Sequence, residues 1–91
     1  MDRIALETEL QTRFDADEQA ACVVARQARD LADSGRFVSD LGLELTVETV
    51  VSNLEDAPAD ATLVERWNWW LGSLELSHGG YEQFRVRDGA V

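Results

Sequence analysis

Few side chains in this chain of 91 residues could carry covalent or acid–base chemistry. The one histidine, His78, stands in "SHGG", where it reads as part of a glycine turn rather than as a base. Cys22 precedes Arg26 and Arg29 on the polar side of an expected helix, and cationic neighbours can activate a thiol when they lie close. No second cysteine or nearby base completes a nucleophilic or redox pair, so Cys22 reads as passive. The carboxylate pairs Asp15 with Asp17 and Glu55 with Asp56 are what chance places in so acidic a chain. Phosphate-loop and metal-ligand spacings are missing. The expectation is a non-enzymatic protein with no cofactor, no metal and no small-molecule substrate.

The aromatic residues are more pointed. "VERWNWWLGSL", residues 64–74, holds all three tryptophans of the chain within four positions. At 100° per residue, Leu63, Val64, Trp67, Trp70, Leu71 and Leu74 gather on one helical face, which makes Trp67 and Trp70 core candidates. Trp69 falls well over 100° away, beside Thr62, Arg66 and Ser73. One reading packs Trp69 against the N-terminal helix or the C-terminal segment, since Trp is mostly buried. The other leaves it exposed as the anchor of a partner, with Arg66 stacked on its ring. A self-complementary patch of that kind would make a two-fold dimer.

The charge is extreme: 18 acidic residues face eight basic ones, a net charge of −10, and all eight are Arg. Abundant carboxylate without lysine resembles the proteins of extreme halophiles. Near 1 M salt the Debye length is about 3 Å, so such charges repel one another little and serve as hydrated surface. At ordinary ionic strength the same charge would instead suggest a basic partner or a nucleic-acid mimic. The start, "MDRIALETEL", has acids where a signal peptide needs a basic region and then an apolar run, which predicts a cytoplasmic protein. The longest apolar run, "AACVVA", is far short of the ~20 residues of a membrane span.

A chain of this length makes one domain, residues 1–91, and buries only roughly 60–65% of its unfolded surface, so a partner subunit is one ordinary source of further stability. Leu6, Leu10 and Phe14 mark a first helix over 2–13. Asp15 then stands as an N-cap with Glu18 at the third helical position, which predicts a second helix from Ala16 to a stop at Gly35; one continuous helix over 2–33 is the alternative. Its stripe is Ala20, Val23, Val24, Ala28 and Leu31, widened by Ala21, Ala25 and Ala32. Residues 35–45 lack a helical period and predict a loop with a short strand at 36–38. Thr46 caps a third helix carrying Val47, Val50, Val51 and Leu54, which Pro58 closes. Asp60 is the expected cap of the fourth, tryptophan-bearing helix, and Gly72 its end. Alternation of Leu74 with Leu76 and of Phe84 with Val86 around "HGG" predicts a β-hairpin with strands near 73–77 and 81–87.

The fold class expected is therefore mainly α with a small C-terminal β-hairpin, an α+β domain of three to four helices with an N-terminal helical segment over 1–34. The order of helix, short strand, helix, turn, helix and hairpin resembles a winged-helix domain over residues 36–88. "LTVETVVSNL" is similar to its second helix and "GGYEQFRVRD" to the return strand of its wing. That resemblance implies that the fourth helix is presented to DNA through Thr62, Arg66, Trp69 and Ser73, with Arg85 and Arg87 reaching backbone phosphates. Residues 61–91 carry three Arg and four acids, net −1, which leaves −9 for residues 1–60 and makes the C-terminal third the part most permissive to a polyanion. The leading expectation remains a regulatory or interaction domain that associates with protein, as a homodimer or with another chain. A DNA-binding regulator is the alternative.

Overall fold

Capping side chains set most of the helix boundaries in the computed structural model, which describes residues 1–87. The Asp2 carboxylate accepts the Ala5 N–H at 3.2 Å and opens α1, Arg3–Phe14. Asp15 follows in the left-handed region (φ 50°), a conformation that Asp tolerates better than most residues, and it breaks the chain into two helices rather than one. The cap of α2, Glu18–Ser34, is Asp17, which accepts the Ala20 N–H at 2.7 Å, so the expected cap at Asp15 is two residues too early. The fully buried stripe of α2 is Ala21, Val24, Ala25, Ala28 and Leu31, while Ala20, Val23 and Ala32 pack at its edge. Three alanines in that stripe leave room for α1 to lie close against it.

Gly35 (φ 75°) ends α2 and at once starts α3, Arg36–Leu41. A loop with a short strand at 36–38 was expected; a helix stands there instead. Only Phe37 is buried in α3, so six residues with one core contact have no period to read. Thr46 caps α4, Val47–Glu55, whose buried residues are Val50, Val51 and Leu54.

The cap of α5, Leu63–His78, is Thr62 rather than Asp60. The Thr62 hydroxyl accepts the Glu65 N–H at 3.2 Å and the Glu65 carboxylate accepts the Thr62 N–H at 2.8 Å, a complete capping box. Gly72 does not end this helix. A methyl group at its Cα would meet nothing within 4 Å, so Gly72 is an ordinary interior position on an open face. The helix continues to His78, Gly79 (φ 78°) and Gly80 (φ 87°) turn the chain, and a 3-10 turn follows at Glu82–Phe84.

The β-hairpin is not formed: the described residues contain helices and turns but no strand. Residues 73–77, expected as its first strand, are the last turns of α5, and Leu76 lies almost entirely in solvent. The second run alternates as expected, with Phe84 and Val86 buried about Arg85, but its backbone is bound by side chains of α5 instead of by a strand. The fold class is thus all-helical, and the winged-helix resemblance over 36–88 fails for want of a wing; residue 88 lies outside the described residues. In the bundle α1 pairs with α2 and α4, and α5 packs across α2 and α4. The 3-10 turn closes the end between α2 and α5.

Candidate functional site

Four consecutive residues at the centre of α5 point in different directions, each with a different task. Trp67 is fully buried, and its indole N–H donates to the Phe84 carbonyl at 2.9 Å. Trp70 faces the same core, edge-on to Trp67 at 5.6 Å and to Phe37 at 5.8 Å, an arrangement that aromatic quadrupoles favour. Asn68 lies between core and solvent, where its amide nitrogen donates to the Val86 carbonyl and its amide oxygen accepts the Val86 N–H, both at 2.9 Å. These two bonds are those a neighbouring strand would supply, which is why a strand-like run of residues needs no strand partner. Trp69 is left 41% exposed.

A second anchor holds the same C-terminal segment. The Glu75 carboxylate accepts the N–H groups of Tyr81 at 2.7 Å, Glu82 at 3.0 Å and Gly80 at 3.3 Å. Its pKa is held below the ordinary value, chiefly by the Tyr81 bond, against a smaller opposing effect of desolvation. Tyr81 is itself buried and donates its hydroxyl proton to Asp40 at 2.8 Å; burial first, and the Asp40 carboxylate second, push the phenol pKa up. Because the folded pKa of Glu75 is depressed, its contribution to stability is complete above the unfolded-state value and is lost as pH falls through the folded one. Acidification below the ordinary carboxylate range is therefore expected to lower the protection factors of the Tyr81 and Glu82 amides, taken against their intrinsic exchange at each pH, and Glu75→Gln to remove that pH dependence. Equal pH profiles in the two proteins would show that Glu75 is not the group responsible.

The residues singled out from the sequence do not form one patch. Thr62 is spent on the capping box. Arg66 turns away from solvent: its guanidinium donates to the carbonyls of Leu54 at 3.0 Å, Ala61 at 3.2 Å and Ala59 at 3.2 Å. The ring beneath it is Phe14, 4.9 Å away, rather than Trp69. It therefore caps the C-terminal end of α4, where the helix dipole favours a cation. Arg85 pairs with Glu82 at 3.1 Å, and with Arg87 it borders a hollow of about 410 Å³ next to Asn68. Trp69 and Ser73 alone of the expected set lie together on the exposed face of α5, joined there by Gly72 and Leu76.

The other chemistry-bearing residues are separated. Cys22 is half-buried, and His78 is the exposed last residue of α5 rather than part of a turn. Glu55 pairs with Arg13 at 3.1 Å, and Asp17 is engaged as a cap. Among the described residues no three His, Cys, Asp or Glu side chains converge as a metal site requires, and no helix is long and apolar enough to cross a membrane.

Sequence reasoning missed Asn68, Glu75, Asp40 and Tyr81. Only Asn68 offered a signal, as a polar residue set amid three tryptophans, but its partner 18 positions away has no local pattern.

No curated protein and no solved structure matches the chain. A family model, the WNWW domain, matches residues 1–75, a stretch that contains the run Trp67, Asn68, Trp69, Trp70 and stops short of the segment this run holds. With most of its length inside that match, the chain belongs to the WNWW domain family.

Proposed function

We propose that this protein is a non-enzymatic interaction domain, adapted to high salt, that self-associates as a two-fold dimer through the exposed face of α5. The observation that carries the reading is Trp69, a large aromatic 41% exposed in a ridge with Gly72, Ser73 and Leu76, the last 91% exposed. Trp is enriched where binding energy concentrates, and burying one removes roughly 150–250 Å² from water. The four ridge residues are uncharged, with Glu65 and Asp60 confined to the end beside Trp69, whereas the chain as a whole carries −10, so the centre of the ridge is where two copies can meet with least repulsion.

Spacing supports a self-complementary contact. Trp69 and Leu76 are separated by two helical turns, about 10 Å, with the small Gly72 and Ser73 between them. In an antiparallel pair centred on Gly72 and Ser73, each Trp69 lies against Leu76 of the partner subunit, and the small residues let the two backbones approach. An open hollow of about 390 Å³ beside Trp69 is bordered by Pro58 and Ala61, and also by Asp60 and Glu65, so acids flank the ring on its N-terminal side. The high-salt component rests on the acid excess and the absence of lysine, since molar salt screens the self-repulsion that opposes both folding and pairing.

Sedimentation in molar KCl tests this directly. Wild type is expected as a dimer and Trp69→Ala as a folded monomer. Gly72→Ala discriminates further: a methyl group meets nothing within one chain and removes a helix-interior glycine, so it should stabilise the monomer by about 1 kcal/mol while weakening the dimer. Wild type and Trp69→Ala sedimenting alike as monomers would remove the self-association reading.

A further inference from the structure

A hollow of about 740 Å³ lies far along the chain from the tryptophans, between α1 and α4. Its floor is apolar: Ala5 from α1, Leu45 from the segment before α4, and Val47 and Val51 from α4 itself. Val47 and Val51 stand at i and i+4 and form one ridge, and the exposed Ala5 is small enough to leave a valley opposite. The walls are acidic. Asp2 and Glu9 rise on the α1 side, and Glu44, Glu48 and Glu55 on the other.

One cation enters this valley, Arg13, and it is already held by Glu9 at 3.5 Å and Glu55 at 3.1 Å. Glu44 and Glu48 make no ion pair among the described residues, so the rim keeps a net negative charge facing an apolar floor. Five carboxylates among thirteen lining residues roughly double the acid density of the chain as a whole.

We propose that the α1–α4 valley is a docking groove for a cationic amphipathic helix of another protein. The apolar face of that helix lies on Ala5, Val47 and Val51, and its Lys or Arg side chains reach Glu44, Glu48 and Asp2 along the rims. A second copy of this chain is a poor occupant, because it has no lysine and only eight Arg among 18 acids to offer the rims. The partner is therefore of opposite charge, and a groove between two short helices suits about three turns, anchored at i, i+3 or i+4, and i+7. This surface is separate from the uncharged α5 ridge, so either can exist without the other.

The probe is a fluorescent synthetic helix of about 14 residues with Leu along one face and Lys elsewhere, titrated into the full chain at 0.15 M and 1 M KCl. Circular dichroism first establishes the lowest salt at which each protein is folded. Wild type is expected to bind, more weakly in 1 M KCl. Glu44→Gln with Glu48→Gln is expected to weaken binding roughly tenfold, and Ala5→Arg, at an exposed helix position that folding tolerates, to remove it. Asp30→Asn with Asp60→Asn deletes the same number of charges elsewhere and is expected to leave binding within about twofold. Amide shifts on binding are expected in α1 and α4. The proposal is overturned if the folded wild type does not bind, if the control pair weakens binding as much as the groove pair, or if oligolysine of equal length binds as well as the amphipathic helix.

Discussion

Trp67→Ala is expected to destabilise the domain by about 3–5 kcal/mol, a large share of the roughly 5–15 kcal/mol that holds a domain of this size folded. Three losses combine. The indole is the largest of the fully buried side chains, so its removal leaves a cavity that the surrounding helices fill only in part. The edge-on contact with Trp70 disappears, and Trp70 then keeps only Phe37 as an aromatic neighbour. The Phe84 carbonyl loses its donor in a buried setting and bears the desolvation penalty of an unpaired acceptor. Trp67→Phe separates these effects, because it keeps an aromatic ring in the core but deletes the N–H. It is expected to remain folded, to cost about 2–3 kcal/mol, and to increase amide exchange in residues 84–86 more than in α1. Denaturant unfolding and hydrogen exchange measure both quantities; uniform loss of protection across the chain would show that the indole N–H has no special hold on the C-terminal segment.

Arg66→Ala is expected to lower stability by about 2–3 kcal/mol, which for a domain of this length is a fall in Tm of roughly 10–15 °C. The guanidinium reaches three carbonyls at once, at the end of α4 and in the turn that leads to α5; the Ala57 N–H also reaches that of Leu54 at 3.3 Å, but no other donor in the described hydrogen bonds reaches those of Ala59 and Ala61. Its stem and planar group also cover Phe14 at the end of α1, so one residue ties three helices together. Water can replace some of the bonds, since Arg66 is only partly buried, which keeps the cost well below that of three fully buried orphans. Arg66→Lys is expected to recover less than half of the loss, because an ammonium is a compact point that does not span three acceptors set apart. A thermal melt of the three proteins tests the ordering. An unchanged Tm in Arg66→Ala would mean that Arg66 is free for an external ligand, as the DNA reading required.

These two residues show where sequence reasoning succeeded and where it stopped. Trp67 was placed in the core by the 100° period alone, and Trp70 with it, because burial of a helix face repeats every three to four residues and needs no knowledge of what covers it. Arg66 was placed outside by the same period, yet it is engaged. A long side chain can leave the direction of its Cβ, and the acceptors within its reach were one carbonyl at the end of α4 and two in the seven-residue connection to α5. The C-terminal segment illustrates the same limit. Alternate burial of Phe84 and Val86 was legible; the choice between a strand and a helix's side chains as hydrogen-bond partner was not, since both bury the same two residues.

The residues alone leave open whether 2–33 is one helix or two, but the extreme acidity, the apolar stripes of the helices and the division of the tryptophans into two in the core and one apart are legible in them. These follow from local spacing and composition. Only the tertiary structure decided that residues 36–41 are helical, that α5 runs on through Gly72, and that a carboxylate, an amide and an indole bind the backbone of residues 80–86. It also decided that the apolar floor between α1 and α4 is rimmed by acids from both ends of the N-terminal half. Each of these depends on contacts between positions far apart in the chain, where free energy comes from satisfying buried polar groups and closing a common core, and a local pattern of residue types carries no record of which distant group will do so.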